Sequence, residues 1–153
     1  MSKLKKGNQA PAFSGQNEKG ETVSLTDFAG KKLILFFYPK DNTPTCTVES
    51  CNLRDNYSML QGKGFEILGV SPDSAKKHQN FIAKHNLPFP LLVDDSLETI
   101  KAYDVWGIKK TFGKEYEGLK RTTFVIDENG VVELVLEKVK SKEHAAQILA
   151  ELG

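Results

Sequence analysis

The segment Leu33-Ile34-Leu35-Phe36-Phe37-Tyr38-Pro39-Lys40-Asp41-Asn42-Thr43-Pro44-Thr45-Cys46 decides how this chain is read. Its first six residues are apolar without alternation, the pattern of a strand buried on both faces. A short polar loop follows, and then the start of a helix. Thr43 is a good N-cap, and Pro44 suits the first helical position, where a missing N–H has no partner to lose. A buried strand feeding a helix through a short loop is the opening of an α/β unit.

Further strands are expected at 65–71 and 90–94. Two more, at 122–127 and 131–136, flank Asn129-Gly130, a strong hairpin signal. A weaker hairpin is read near the amino terminus, around Glu18-Lys19-Gly20-Glu21. Helices fall between the strands. The first runs from Thr43-Pro44 to Leu60, ahead of Gly62 and Gly64. The second spans 73–85, with His78, Phe81, Ile82 and His85 on one face. A short helix follows Ser96. The last begins with Ser141 as N-cap and buries Ala145, Ile148, Leu149 and Leu152. This order predicts an α/β fold, a mixed central sheet with helices on both faces and an N-terminal hairpin. The tract 104–120, carrying Trp106, Phe112 and Tyr116, has few strand or helix signals and reads as a long substrate-side loop.

The 153 residues, 39% hydrophobic and 27% charged, suit one domain over 1–153 with a core of its own. Twenty-one Lys and Arg against twenty Asp and Glu leave a formal charge of +1. Nothing in that balance draws the chain to nucleic acid or to an anionic membrane. The longest apolar run, Leu33 to Tyr38, is far too short for a spanning helix. The basic start Met1-Ser2-Lys3-Leu4-Lys5-Lys6-Gly7 has no apolar stretch behind it, so it does not read as a secretory signal. The expected location is the cytoplasm, where structural disulfides are rare. Cys46 and Cys51, the only two cysteines, therefore read as a reactive pair rather than a disulfide framework.

On the register set by Thr43 and Pro44, Cys46 is the third helical residue. Free N–H groups and the positive end of the helix dipole stabilise a thiolate at such a place, and the thiolate is the nucleophilic form. Cys51 lies five residues on in the same helix. An intact helix holds such positions about 8–9 Å apart at Cα, whereas a disulfide needs about 4.4–6.8 Å. Either the two never pair, or the first turns of the helix unwind when they do. The same spacing separates this site from Cys-x-x-Cys oxidoreductases.

These residues carry a resemblance. Pro39-x3-Thr43-x2-Cys46 matches the peroxiredoxin active-site signature, and the stretch from Thr43 to Asp55 is similar to the bacterioferritin comigratory protein (PrxQ) branch. Ala10-Pro11-Ala12-Phe13, Val70-Ser71-Pro72-Asp73, the Val105-Trp106 and Gly113–Gly118 segments, and Arg121-Thr122-Thr123-Phe124-Val125-Ile126-Asp127 extend it over most of the chain. Two departures stand out: Thr45 and Asp104 occupy positions where this branch commonly has glycine.

The resemblance implies a thioredoxin-like fold and thiol-dependent reduction of hydrogen peroxide and organic hydroperoxides. Cys46 would be the peroxidatic nucleophile, leaving a sulfenic acid. Thr43 would hold peroxide and thiolate together, Arg121 would donate to both, and Pro39 would shield the pocket. Cys51 would resolve the sulfenic acid as an intramolecular disulfide, reduced in turn by thioredoxin or a similar dithiol. The resemblance implies a monomer, with no metal and no organic cofactor.

Two other readings use the same cysteine pair: a thiol–disulfide oxidoreductase, disfavoured by the absent Cys-x-x-Cys, and a redox-sensing module. Glu49, one turn past Cys46, reads equally as a tuning group or a solvent-facing one. Arg54-Asp55 reads as a structural ion pair. His78, His85 and His144 lack ligand spacing to the cysteines, so a Cys2His2 zinc site is not expected.

Overall fold

The computed structural model describes residues 4–111 and 113–152. The chain runs β1 (Ser14–Asn17), β2 (Thr22–Ser24), β3 (Lys32–Phe37), α1 (Pro44–Asp55), α2 (Tyr57–Gly62), β4 (Phe65–Ser71) and α3 (Ala75–His85). It continues with β5 (Leu91–Val93), α4 (Glu98–Ala102), β6 (Trp106–Thr111), β7 (Lys114–Leu119), β8 (Thr122–Ile126), β9 (Val132–Leu136) and α5 (His144–Leu152). Single 3-10 turns sit at Leu25–Phe28 and Ser141–Glu143.

Seven strands form one sheet in the order β2-β1-β5-β4-β3-β8-β9. β3 lies parallel to β4 and antiparallel to β8, so the sheet is mixed, as expected. Its apolar run divides between two cores. Leu33, Leu35 and Phe37 face Ile100, Tyr103, Phe124 and Ile126. Ile34, Phe36 and Tyr38 face Leu53, Leu60, Phe81 and Ile148. All six side chains are fully buried. Burying each Leu, Ile or Phe contributes about 1.5–3 kcal/mol. α4 covers the first face, and α1, α2, α3 and α5 cover the second. The N-terminal hairpin is present as β1 and β2. Asn17 closes its turn by accepting from the backbone N–H of Lys19 and Glu21, at 2.9 and 3.0 Å.

Three sequence expectations are corrected. The helix read from 43 to 60 is broken at Asn56, with φ −108° and ψ 5°, into α1 and α2. The Asn56 side chain donates to Asn52 O (2.8 Å), a local bond that competes with the helix, while Leu53 and Leu60 keep the apolar stripe continuous across the break. Ser141 opens a 3-10 turn instead of capping the last helix, and α5 begins at His144. Its cap comes from another element: Asn52 Oδ1 accepts from Ala145 N–H, and Asn52 Nδ2 donates to Lys142 O, both at 2.9 Å.

The tract 104–120 is not a loop but a two-stranded hairpin, β6 against β7, with Ile108 opposite Glu117 and Lys109 opposite Tyr116. Much of it is exposed, including Ile108 and Tyr116, so no apolar alternation marks it. Facing glycines 107 and 118 blur it further. Gly113, at φ +77°, sits at its turn; Phe112, named with this tract above, lies outside the described residues. Asp104, standing where the branch commonly has glycine, adopts φ +56°, which explains that preference.

Close packing in the middle of β4 yields a stability prediction. A Cβ on Gly69 would sit 2.7 Å from Leu91 Cδ2 and 2.8 Å from Phe36 Cζ. Gly69→Ala should therefore cost about 1–3 kcal/mol, read as a lower urea midpoint with an unchanged slope.

Candidate active site

Cys46 is the third residue of α1, as its sequence context predicts, with Thr43 extended at the N-cap and Pro44 first in the helix. The Thr43 side chain does not cap, however; its hydroxyl donates to Lys40 O at 3.0 Å. Cys46 is also fully buried, among Ile34, Phe36, Leu53 and Val125, and not at the exposed junction a loop-to-helix boundary implied. Cys51 is half-buried in the same helix, and both thiols are free. Pro39 is half-buried at the start of the loop.

Arg121 reaches this sulfur from 75 residues away. β8 runs antiparallel to β3, pairing Phe37 with Thr122, and one step further along the register brings Arg121 beside the strand-to-helix loop. Its Nη2 lies 3.1 Å from Cys46 Sγ, and its Nη1 donates to Glu49 Oε1 at 2.6 Å. Burial alone would lower the Arg121 pKa, but Glu49 and Cys46 more than offset it, and the net shift is upward.

Glu49 does not face solvent; it is completely buried. Desolvation pushes its pKa up to about 7 against the opposing pull of Arg121. His144, from α5, lies 3.4 Å from Glu49 Oε2 and 2.9 Å from Thr123 Oγ1. Its own burial lowers it to about 4. Sequence reading saw His144 only as a helical residue without ligand spacing; the α1–α5 packing that joins it to Glu49 leaves no local pattern.

A second buried network, also missed, anchors the loop. Tyr38 donates to Asp41 Oδ1 at 2.5 Å, and the Asp41 backbone N–H donates to Asp73 Oδ2 at 2.7 Å. His78 Nδ1 lies 2.6 Å from Asp41 Oδ2, and its Nε2 donates to Leu92 O at 2.9 Å. Potential ligand atoms of Asp41, Asp73 and His78 lie within 4.8 Å of one another. Their hydrogen bonds are made to each other and to the surrounding chain, which makes the cluster a loop anchor. Burial, then Asp41, raises the Tyr38 pKa. Arg54 and Asp55 pair on the surface at 2.9 Å, as expected.

The Glu49 shift carries a signed pH dependence. A carboxyl held near 7 when folded and 4.5 otherwise keeps a proton that the unfolded chain has released. Stability from this group therefore falls as pH rises through that window, by about 1.4 kcal/mol per unit of separation. His144, held near 4 against 6.5, has the opposite slope. Glu49→Gln should remove the first slope only. Its stability relative to wild type should then improve from pH 5 to pH 8 in urea unfolding.

Comparison with known proteins matches residues 6–135 to the AhpC/TSA family. The chain is 49% identical over 146 residues to peroxiredoxin Bcp of Bacillus subtilis, covering 95% of this chain and 93% of that one. Peroxiredoxin Bcp of Escherichia coli K12 is 42% identical over 149 residues, covering 97% and 96%. A solved structure of Xanthomonas campestris peroxiredoxin Q superposes with a TM-score of 0.85 at 38% identity, covering 92% of this chain and 89% of that one. The mixed sheet with helices on both faces is thus the thioredoxin-like arrangement of such proteins. With a buried cysteine at a helix start and an arginine on its sulfur, the chain belongs to the AhpC/TSA family, among its Bcp-type peroxiredoxins.

Proposed function

We propose that Cys46 is the peroxidatic nucleophile of this thiol peroxidase and Cys51 its resolving partner, with thioredoxin or a similar dithiol as reductant. The observation that carries the reading is Arg121 Nη2 at 3.1 Å from a sulfur in the first turn of α1. The Cys46 thiolate attacks the terminal peroxide oxygen, and the O–O bond breaks. The sulfur becomes a sulfenic acid, and the departing hydroxide or alkoxide takes a proton to leave as water or alcohol. Negative charge moves from sulfur toward the leaving oxygen, so a guanidinium already fixed beside that path lowers the barrier. Thr43, three residues before the sulfur, can offer its hydroxyl oxygen to the peroxide proton. Pro39 walls the loop side. Arg121 is one-fifth exposed and marks the side from which solvent reaches the site.

The Cys51 thiolate then attacks the sulfenic sulfur, the S–O bond breaks, the departing hydroxide takes a proton to leave as water, and a Cys46–Cys51 disulfide forms. Both cysteines belong to one unbroken helix, so that step requires α1 to unwind. The external dithiol exchanges with the disulfide and restores both thiols. The cycle closes within one chain, which suits a monomer. It also suits a reducing compartment such as the cytoplasm.

Equimolar hydrogen peroxide mixed rapidly with reduced protein should remove both thiols and change Trp106 fluorescence. Cys46→Ser should abolish peroxide consumption, and a variant that still turned over peroxide would refute the assignment. Cys51→Ser should complete one turnover and then stall in dithiol-supported assays. Arg121→Met should slow the peroxide step by about 10²–10³-fold, the usual effect of losing one donor to a developing charge. Amide hydrogen exchange should show lost protection over 45–52 in the disulfide form; equal protection in both redox states would contradict the unwinding step.

A further inference from the structure

We infer that Ser50 weakens α1 from within, so that the helix opens readily once Cys46 is oxidised and the sulfenic acid is resolved by Cys51 before peroxide attacks it again. The inference rests on Cys46 and Cys51 being the peroxidatic and resolving thiols, and it adds the residue that governs the passage between them.

Ser50 shares the inward face of α1 with Cys46, Glu49 and Leu53, and all four are fully buried. Cys46 and Leu53, on either side of it, belong to the same apolar cluster as Phe36, Ala145 and Ile148. An apolar side chain is what such a position asks for. A hydroxyl there has to find a hydrogen bond within the protein or forgo those it made to water. A serine inside a helix commonly donates to the carbonyl four residues back, here that of Cys46. Ser50 does not: its Oγ has no hydrogen-bond partner among the described residues.

Buried side-chain atoms of this kind are few, and their placement is uneven. Among the described residues the others are Glu49 Oε2 and Glu133 Oε1, and the second of these lies 3.1 Å from Lys32 Nζ. The remaining two adjoin one another in α1, the helix that has to unwind for the cysteines to meet.

The penalty on Ser50 exists only while α1 is wound. Ser50 lies between the two cysteines, so any opening that lets them meet also frees its hydroxyl to bond with water. The hydroxyl therefore favours the open helix over the closed one, by about tenfold for a typical unsatisfied group. Two fates compete for the Cys46 sulfenic acid. Opening of α1 lets Cys51 attack the sulfur and displace hydroxide, which forms the disulfide. While α1 stays closed, a second hydrogen peroxide transfers one oxygen to the sulfenate, leaving a sulfinate and water. Ser50 tilts that competition toward the disulfide.

Ser50→Ala tests the assignment. In the reduced protein, amide hydrogen exchange over 47–52 should slow by about tenfold. After one equivalent of hydrogen peroxide, disulfide formation should slow by a similar factor, while the preceding loss of the Cys46 thiolate keeps its rate. With excess peroxide, the fraction of Cys46 converted to sulfinate in each turnover, read by mass spectrometry, should rise several-fold. Alanine is also the better helix former, by about two- to threefold in the same equilibrium. Thr45→Ala, at an exposed position of the same helix, controls for this and should move exchange and disulfide formation by no more than that. Exchange or disulfide formation unchanged in Ser50→Ala, or changed equally in Thr45→Ala, overturns the inference. Exchange in the reduced protein does not depend on peroxide chemistry, so failure of the peroxidatic assignment would appear separately, as Cys46→Ser retaining peroxide consumption.

Discussion

Arg121 sits between a buried sulfur and a buried carboxyl, and the local architecture is arranged so that it can. The antiparallel pairing of β8 with β3 delivers the guanidinium, and the short loop after Tyr38 starts α1 at the matching height. Glu49, one turn along, holds the other arm of the fork. Each partner is costly to bury alone. An unpaired carboxylate or guanidinium in this setting would cost several kcal/mol, whereas the set of three lowers that penalty through charge-assisted bonds. The site is therefore cooperative: removing Arg121 exposes two groups to each other, not one.

Much of this was legible in the sequence, and the reasons differ by element. β3 declares itself because burial on both faces leaves no polar residue in the run, and Thr43-Pro44 marks a helix start because those residue types have specific uses there. Arg121 carries no local signal; only the resemblance singled it out. The β6–β7 hairpin was missed because partly exposed strands need no alternation, and its paired glycines look like loop. Glu49, His144, Asp41 and His78 were undervalued for a common reason. A buried polar residue is recognised by its partner, and here each partner lies on another element.

The two halves of the site differ in how firmly they are held. The loop before α1 is tied down by the Tyr38, Asp41, Asp73 and His78 network, in which Asp41 of the loop meets residues just past β3 and β4 and one on α3. The first turn of α1 is held instead by Arg121 on the buried Cys46, and Thr43 lends it no side-chain cap. A fixed approach and a helix start held through the sulfur itself are what a cysteine would need if it had to react in one geometry and be released in another.

Asn52 would give such a release a return spring. It follows Cys51 directly, yet its amide holds the start of α5 at Lys142 and Ala145. Any unwinding of α1 that reaches Asn52 leaves the carboxy-terminal helix uncapped, a loss of about 0.5–2 kcal/mol for a typical cap. That energy is regained when α1 rewinds. Reduction of a Cys46–Cys51 bond would thus restore more than two thiols: the re-formed clamp between helices pulls the chain back toward the geometry in which Arg121 meets the sulfur.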